Sequence, residues 1–263
     1  MTKVTSKDGT TIAYEKSGQG PAVILVDGAL CYRAFGPMAP LAKRLVSHFT
    51  VYMYDRRGRG ESTDTKPYTL EREIEDIEAL IAEAGGSAFV YGASSGGALG
   101  LRAAAQLSGI KKLAMYEAAF NDDEKGLQIA KDYTQDLTEL LAADRRGDAV
   151  ERFMTMVGTP AEMVAGMKHS PMWAGFEAIA LTLAYDNAAM GDGSVPSDQA
   201  AKVKVPTLVM AGGASPAFMG DSAKLIAKEV ASDAECRILE GQMHDVPAEV
   251  IAPELVAFFT KGE

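Results

Sequence analysis

Short apolar runs, each closed off by turn formers, recur along this chain and leave few folds open to it. Ala22-Val23-Ile24-Leu25-Val26 follows the breaker Gly18-Gln19-Gly20-Pro21. Phe49 to Tyr54, Ala88 to Tyr91, Lys112 to Tyr116 and Pro206 to Ala211 read as further strands. A run that is apolar at nearly every position suits a strand buried on both faces, as in a parallel sheet. Helical patterns lie between the runs. Phe35 to Ser47 is one, and Gly97 to Leu107 is another. A third places Leu70, Ile74, Ile77 and Ile81 on one face and stops at Gly85-Gly86. This alternation predicts an α/β fold, with a mostly parallel sheet and helices on both faces. Lys3 to Ser17, turning at Asp8-Gly9, adds a hairpin ahead of it.

The rhythm changes between Asn121 and Gln199, where β-branched runs vanish and methionines gather. Helices are expected there, and Pro206 to Ala211 then resumes the strand pattern. The predicted organisation is one core domain, residues 1–120 and 200–263, with residues 121–199 inserted as a helical lid. A helix over Asp221 to Ala231, a strand over Cys236 to Leu239 and a helix from Ala248 complete the core.

The net charge of -10 disfavours nucleic acid, since phosphate binding needs clustered Lys and Arg. No apolar run is long enough to span a bilayer, and the first residues hold no apolar leader segment. Cys31 and Cys236 lie far apart and form neither a metal motif nor a disulfide framework. A cytoplasmic protein without membrane contact is therefore expected. The sequence shows no phosphate loop, nicotinamide fingerprint or metal cluster, so no cofactor or metal is expected either.

The chemistry centres on Gly92-Ala93-Ser94-Ser95-Gly96-Gly97. This G-x-S-x-G spacing follows a predicted strand and opens a predicted helix, the context in which it marks a nucleophile. A sharp strand-to-helix turn lifts the Ser94 hydroxyl clear of the sheet. Small flanking residues permit the turn, and the helix N-terminus sets the Ser95 N–H beside a reacting carbonyl. A plain Gly/Ser-rich turn is the bland alternative. The base is chosen from three histidines. His48 precedes a strand and His169 lies in the lid segment, whereas His244 follows the last strand, at the sheet edge where α/β folds collect functional groups.

Together these residues resemble the α/β-hydrolase superfamily. Asp55-Arg56-Arg57-Gly58-Arg59-Gly60-Glu61-Ser62 looks like its D-x-R-G-x-G-x-S loop, and the Ser94 turn and His244 match its remaining landmarks. The resemblance implies an eight-stranded sheet, a lid between strands six and seven, and a covalent acyl-enzyme. Two departures stand out. Family members usually carry His-Gly after the third strand, where Val26-Asp27-Gly28-Ala29 stands here. The Ala29 N–H is then the oxyanion donor expected beside that of Ser95, with Asp27 turned away and bonded locally. Members also usually carry the triad acid after the strand ending at Ala211, where Gly212 to Ala217 holds no carboxylate. Haloalkane dehalogenases place it one strand earlier. By that precedent Glu117, 23 residues after Ser94, is the favoured acid, with Asp221 or no acid as alternatives.

The expected function is therefore hydrolysis of a small carboxylic ester or lactone with an apolar acyl part. The residues expected to act are Ser94, His244 and Glu117, with Ala29 and Ser95 as oxyanion donors. Tyr32, Met172 and Trp173 are expected to bind substrate, with Met167, Phe176 and Leu183 beside them. Two alternatives are cofactor-free perhydrolase, haloperoxidase or lyase chemistry on the same groups, and a ligand-binding member without catalysis. A monomer or homodimer is expected.

Overall fold

A computed structural model describes residues 2–262. Eight strands form one sheet. They are β1 (Thr2–Thr5), β2 (Thr11–Ser17), β3 (Ala22–Val26), β4 (Thr50–Tyr54), β5 (Ala88–Ala93), β6 (Ile110–Tyr116), β7 (Thr207–Gly212) and β8 (Ala234–Leu239). Their order is β1-β2-β4-β3-β5-β6-β7-β8. The pairs β1/β2 and β2/β4 are antiparallel, and every pair from β4/β3 onward is parallel.

The apolar runs are explained by burial on both faces. Along β3, Ile24 and Val26 point into one core cluster while Val23 and Leu25 point into the other. Strand β5 repeats this with Val90 against Phe89 and Tyr91, and β7 with Val209 and Ala211 against Leu208 and Met210. One face is covered by α2 (Leu70–Glu83), α3 (Ser95–Ala104) and α10 (Ala217–Glu229). The other is covered by α1 (Met38–Leu45) and α11 (Ala248–Phe259), whose Leu41, Leu45, Leu255 and Phe259 are buried. Ile74, Ile77 and Ile81 are the buried stripe of α2, and Gly85 and Gly86 end it with φ of +92° and +96°. The first helix is shorter than the sequence suggests. It starts at Met38, because Tyr32 and Phe35 pair across a tight turn and Gly36 adopts a φ of +147°.

Six α-helices lie between β6 and β7: α4 (Glu124–Ala142), α5 (Arg146–Met156), α6 (Ala161–Lys168), α7 (Pro171–Ile179), α8 (Leu183–Met190) and α9 (Ser197–Ala200). They enclose a further core, in which Tyr133, Leu137, Val150, Trp173, Phe176 and Leu183 are buried together with Leu30 of the loop after β3. Helices α8 and α9 also pack on α3, so the segment is fastened to the sheet side at its C-terminal end. No helix among the described residues is long and apolar enough to cross a membrane.

Candidate active site

The G-x-S-x-G turn joins β5 to α3, and its strain falls on one residue. Ser94 has φ 55° and ψ -130°, a conformation that costs about 1–3 kcal/mol in a non-glycine residue. It is held from both sides. The Ser94 N–H donates to the Tyr116 carbonyl at 2.9 Å, and the Ser94 carbonyl accepts from the Gly97 N–H at 2.9 Å as the helix begins. The flanking glycines answer a need for close approach. A Cβ on Gly92 would fall 2.2 Å from the Gly96 carbonyl oxygen, and one on Gly96 would fall 2.3 Å from that of Val26.

Glu117 stands directly after β6 with φ 46° and is buried, 1% exposed. Its backbone N–H donates to the Met210 carbonyl at 2.9 Å. One carboxylate oxygen, Oε1, accepts from the Gly212 N–H at 2.8 Å. The other, Oε2, lies 2.7 Å from His244 Nδ1. Burial pushes the Glu117 carboxyl up, but the hydrogen bonds from His244 and the Gly212 amide outweigh it and leave the group below the usual carboxylate range. Ser215, whose buried Oγ meets no partner at hydrogen-bond geometry among the described residues, also favours the ionised form.

The loop carrying His244 is fixed from beneath. The Tyr116 hydroxyl donates to the Met243 carbonyl at 2.5 Å, and the Ala214 N–H donates to the Gln242 carbonyl at 2.9 Å. Strand β6 therefore supplies both the carboxylate and a tether one residue before the imidazole. The other acid considered, Asp221, is exposed on α10 and pairs with Lys224 at 3.1 Å. His48 and His169 are likewise exposed.

Ser94 and His244 line one cavity of about 610 Å³, with Gly28 and Ala29 beside them. The turn after β3 passes close to the serine, since a Cβ on Gly28 would lie 3.2 Å from Ser94 Cβ. Neither Ala29 N–H nor Ser95 N–H is engaged by a backbone carbonyl in a turn, loop or cap. The remaining walls are mostly apolar and include Phe35, Met38, Leu41, Tyr91, Phe153 and Val157. No Lys or Arg lines it among the described residues, and Asp245 is its one acidic member.

Three expectations need correction. Tyr32, Met172 and Trp173 do not line this cavity. Trp173 faces inward among the inserted helices, with its indole N–H donating to Glu177 at 3.0 Å, and Met172 is exposed on the outer face of α7. Tyr32 packs against the edge of the same inner cluster. Phe176 and Leu183 belong to that cluster and Met167 packs against it, so the segment's contributions to the cavity wall are Phe153 and Val157 instead. Helical periodicity marks a buried face without saying whether it meets a cavity or another helix. Asp27 also departs from expectation. It is 2% exposed and its Oδ1 accepts no hydrogen bond from the described residues. Burial pushes its carboxyl up to about 7, against the opposing charges of Arg59 and Arg56.

The sequence reading missed Asp186. This α8 carboxylate is 4% exposed and accepts from Ser95 Oγ at 2.7 Å, Arg56 Nη1 at 2.6 Å and Arg59 Nη2 at 2.6 Å. Nothing in Leu183-Ala184-Tyr185-Asp186-Asn187 signals this, because its partners lie far away in sequence.

The profile of the alpha/beta hydrolase family matches residues 21–257. An alpha/beta hydrolase from Sphaerobacter thermophilus DSM 20745 has TM-score 0.90 and 52% sequence identity, over 98% of this chain and 100% of that one. The enol-lactonase from Burkholderia xenovorans LB400 shares the fold, with TM-score 0.68 and 23% identity over 99% of this chain and 100% of that one. Among curated proteins, the pimeloyl-[acyl-carrier protein] methyl ester esterase of Xanthomonas campestris pv. campestris (strain B100) is 33% identical over 151 residues, 51% of this chain. The chain spans 57% of the length of that relative. With the family profile matched from β3 into the last helix, and a sheet of this order beneath it, the chain belongs to the alpha/beta hydrolase family.

Proposed function

We propose that this chain is a serine hydrolase that cleaves a small carboxylic ester or lactone with an apolar acyl part, through an acyl-enzyme on Ser94. One observation carries the reading: a buried Glu117 carboxylate grips His244 Nδ1 at 2.7 Å, in a loop that shares its cavity with a serine on a strained turn. Bound at Nδ1, the imidazole offers Nε2 as the base. Ser94 Oγ attacks the substrate carbonyl as its proton passes to Nε2, and Glu117 stabilises the imidazolium so formed. The Ala29 and Ser95 amides receive the oxyanion. Collapse expels the alcohol with the proton held on His244. Water then attacks the acyl-enzyme with His244 again as base, releasing the acid and restoring the serine.

The apolar walls and the absence of a lining cation favour an uncharged acyl chain over one bearing a second carboxylate. Residues 121–199 act as a lid whose Phe153 and Val157 close the acyl side. The two free cysteines suit a reducing compartment such as the cytoplasm. Ser94→Ala is expected to lower kcat for p-nitrophenyl butyrate by at least a thousandfold with the circular dichroism unchanged, and to abolish labelling by a fluorophosphonate. Activity retained in that variant overturns the proposal. A second reading, perhydrolase or lyase chemistry on the same groups, draws on Asp27, a buried carboxyl whose Oδ1 accepts no hydrogen bond among the described residues. Ser94-dependent labelling without ester turnover would favour it.

A further inference from the structure

The loop after β4 drives three arginines into the interior: Arg57 pairs with Asp76 and Asp8, while Arg56 and Arg59, both essentially unexposed, face the other way. Glu73 on α2 takes one edge of Arg56, at 2.8 and 2.9 Å. The remaining guanidinium groups converge on α8, where Asp186 Oδ1 accepts from Arg56 and Oδ2 from Arg59, each at 2.6 Å. Asp186 Oδ1 also accepts from Ser95 Oγ, the residue directly after the nucleophile. Arg59 reaches onward and donates from Nη1 to the carbonyls of Gly28 at 2.6 Å and Cys31 at 3.1 Å. Arg56 Nη1 donates to the Asp27 carbonyl at 3.2 Å.

These contacts have a directional consequence. In a trans peptide the C=O and N–H point in opposite directions. Holding the Gly28 carbonyl toward Arg59 therefore turns the Ala29 N–H away from the guanidinium, to the side where Ala29 and Ser94 share the cavity. On the other side of the hole, the Ser95 hydroxyl anchors the first residue of α3 to the same carboxylate. Both donors are thus referred to a single group on the inserted helical segment. We infer that Asp186 is the positioning residue of the oxyanion hole, orienting the Ala29 amide through Arg59 and the Ser95 amide through its own side chain. Asp186 touches no substrate. The inference rests on the serine-hydrolase reading and adds to it a link from α8 to the transition state.

The site is built for a permanent charge. Burial pushes the Asp186 carboxyl up, but the neighbouring Arg59 and Arg56 charges and the bonds from Arg59 and Ser95 hold it below the usual range, so it stays ionised through the working pH. A charge-assisted bond of this kind is shorter and more directional than a neutral one, which suits a fixed scaffold.

The test compares Asp186→Asn and Ser95→Ala with wild type in kcat, KM and the inhibition constant of a trifluoromethyl ketone. The hemiketal oxyanion of that inhibitor needs the same two N–H donors as the transition state. Asp186→Asn is expected to lower kcat about a hundredfold, and Ser95→Ala about tenfold. In both, KM should stay within about twofold, and inhibitor affinity should fall by the same factor as kcat. A change confined to packing of the inserted segment would instead raise KM and leave kcat and inhibitor affinity unmoved, which overturns the inference. Should Asp186→Asn fail to fold, Ser95→Ala, which keeps every ion pair, decides alone: wild-type kcat and inhibitor affinity in it overturn the inference. Failure of the hydrolase reading shows separately, as wild-type protein that neither turns over esters nor reacts with a fluorophosphonate, and it removes this inference as well.

Discussion

Asp27 holds a buried carboxyl, 2% exposed, and the consequence can be read in stability against pH. Its folded-state value of about 7 stands above the roughly 3.9 of an exposed aspartate. Between those limits the folded chain keeps a proton that the unfolded chain has released, so the protein is favoured at low pH and loses that contribution as pH rises toward 7. Arg59 and Arg56 moderate the loss and Asp55 adds to it. Asp27→Asn should therefore flatten urea midpoints between pH 5 and 8, and should be the more stable protein at pH 8, by on the order of a few kcal/mol. A wild-type midpoint that does not fall over that range would contradict this. Residue-scale chemistry divided sharply in how far it could be read from sequence. Ser94 and His244 stand in local patterns, a five-residue turn and a strand-end loop, and Glu117 is the carboxylate that ends a strand. Tyr32, Met172 and Trp173 stand outside the lining of the Ser94 cavity and Asp186 carries no local signature, because their surroundings are set by helices that meet only in three dimensions.

At the scale of elements, β6 carries more of the site than its length suggests. Its end supplies Glu117, its Tyr116 carbonyl receives the Ser94 amide, and its Tyr116 hydroxyl fixes the His244 loop. Tyr116→Phe removes the last of these, worth about 1 kcal/mol. It is expected to lower kcat about tenfold with the melting temperature down by no more than about 2–4 °C, as measured by ester kinetics beside calorimetry. A lowered melting temperature beside wild-type kcat would mean that the tyrosine serves packing alone. The strands were legible because burial on both faces writes a continuous apolar run. Helix limits were less so: the start of α1 depends on a turn that Gly36 makes against Cys31 and Asp27. The helices α4 to α7 were legible as helices but not in how they pack. Their separate core predicts separate loosening. Trp173, the chain's single tryptophan, reports on that core alone. Its emission should shift at lower urea than the far-ultraviolet dichroism of the whole, and coincident curves would show the two clusters unfolding as one.

Seen as a whole molecule, the chain sets a mostly parallel sheet and its helices beneath a cavity that a second helical layer borders through Phe153 and Val157. The reacting groups come from three loops at the C-terminal ends of β3, β5 and β6 and from the loop after β8, which is where the crevice of an α/β sheet gathers ligands. The lack of a lining cation then acts on the end of the reaction as well as its beginning. On the proposed reading, ester cleavage would create a carboxylate anion inside walls that hold no Lys or Arg among the described residues and that include Asp245. The released acid would then meet no cation to hold it there. Product inhibition by short fatty acids should accordingly be feeble, with inhibition constants at least tenfold above the KM of the parent ester. Introducing a positive side chain through Val157→Lys should tighten it. Turnover in such an enzyme would be paced by bond breaking rather than by waiting for the site to empty.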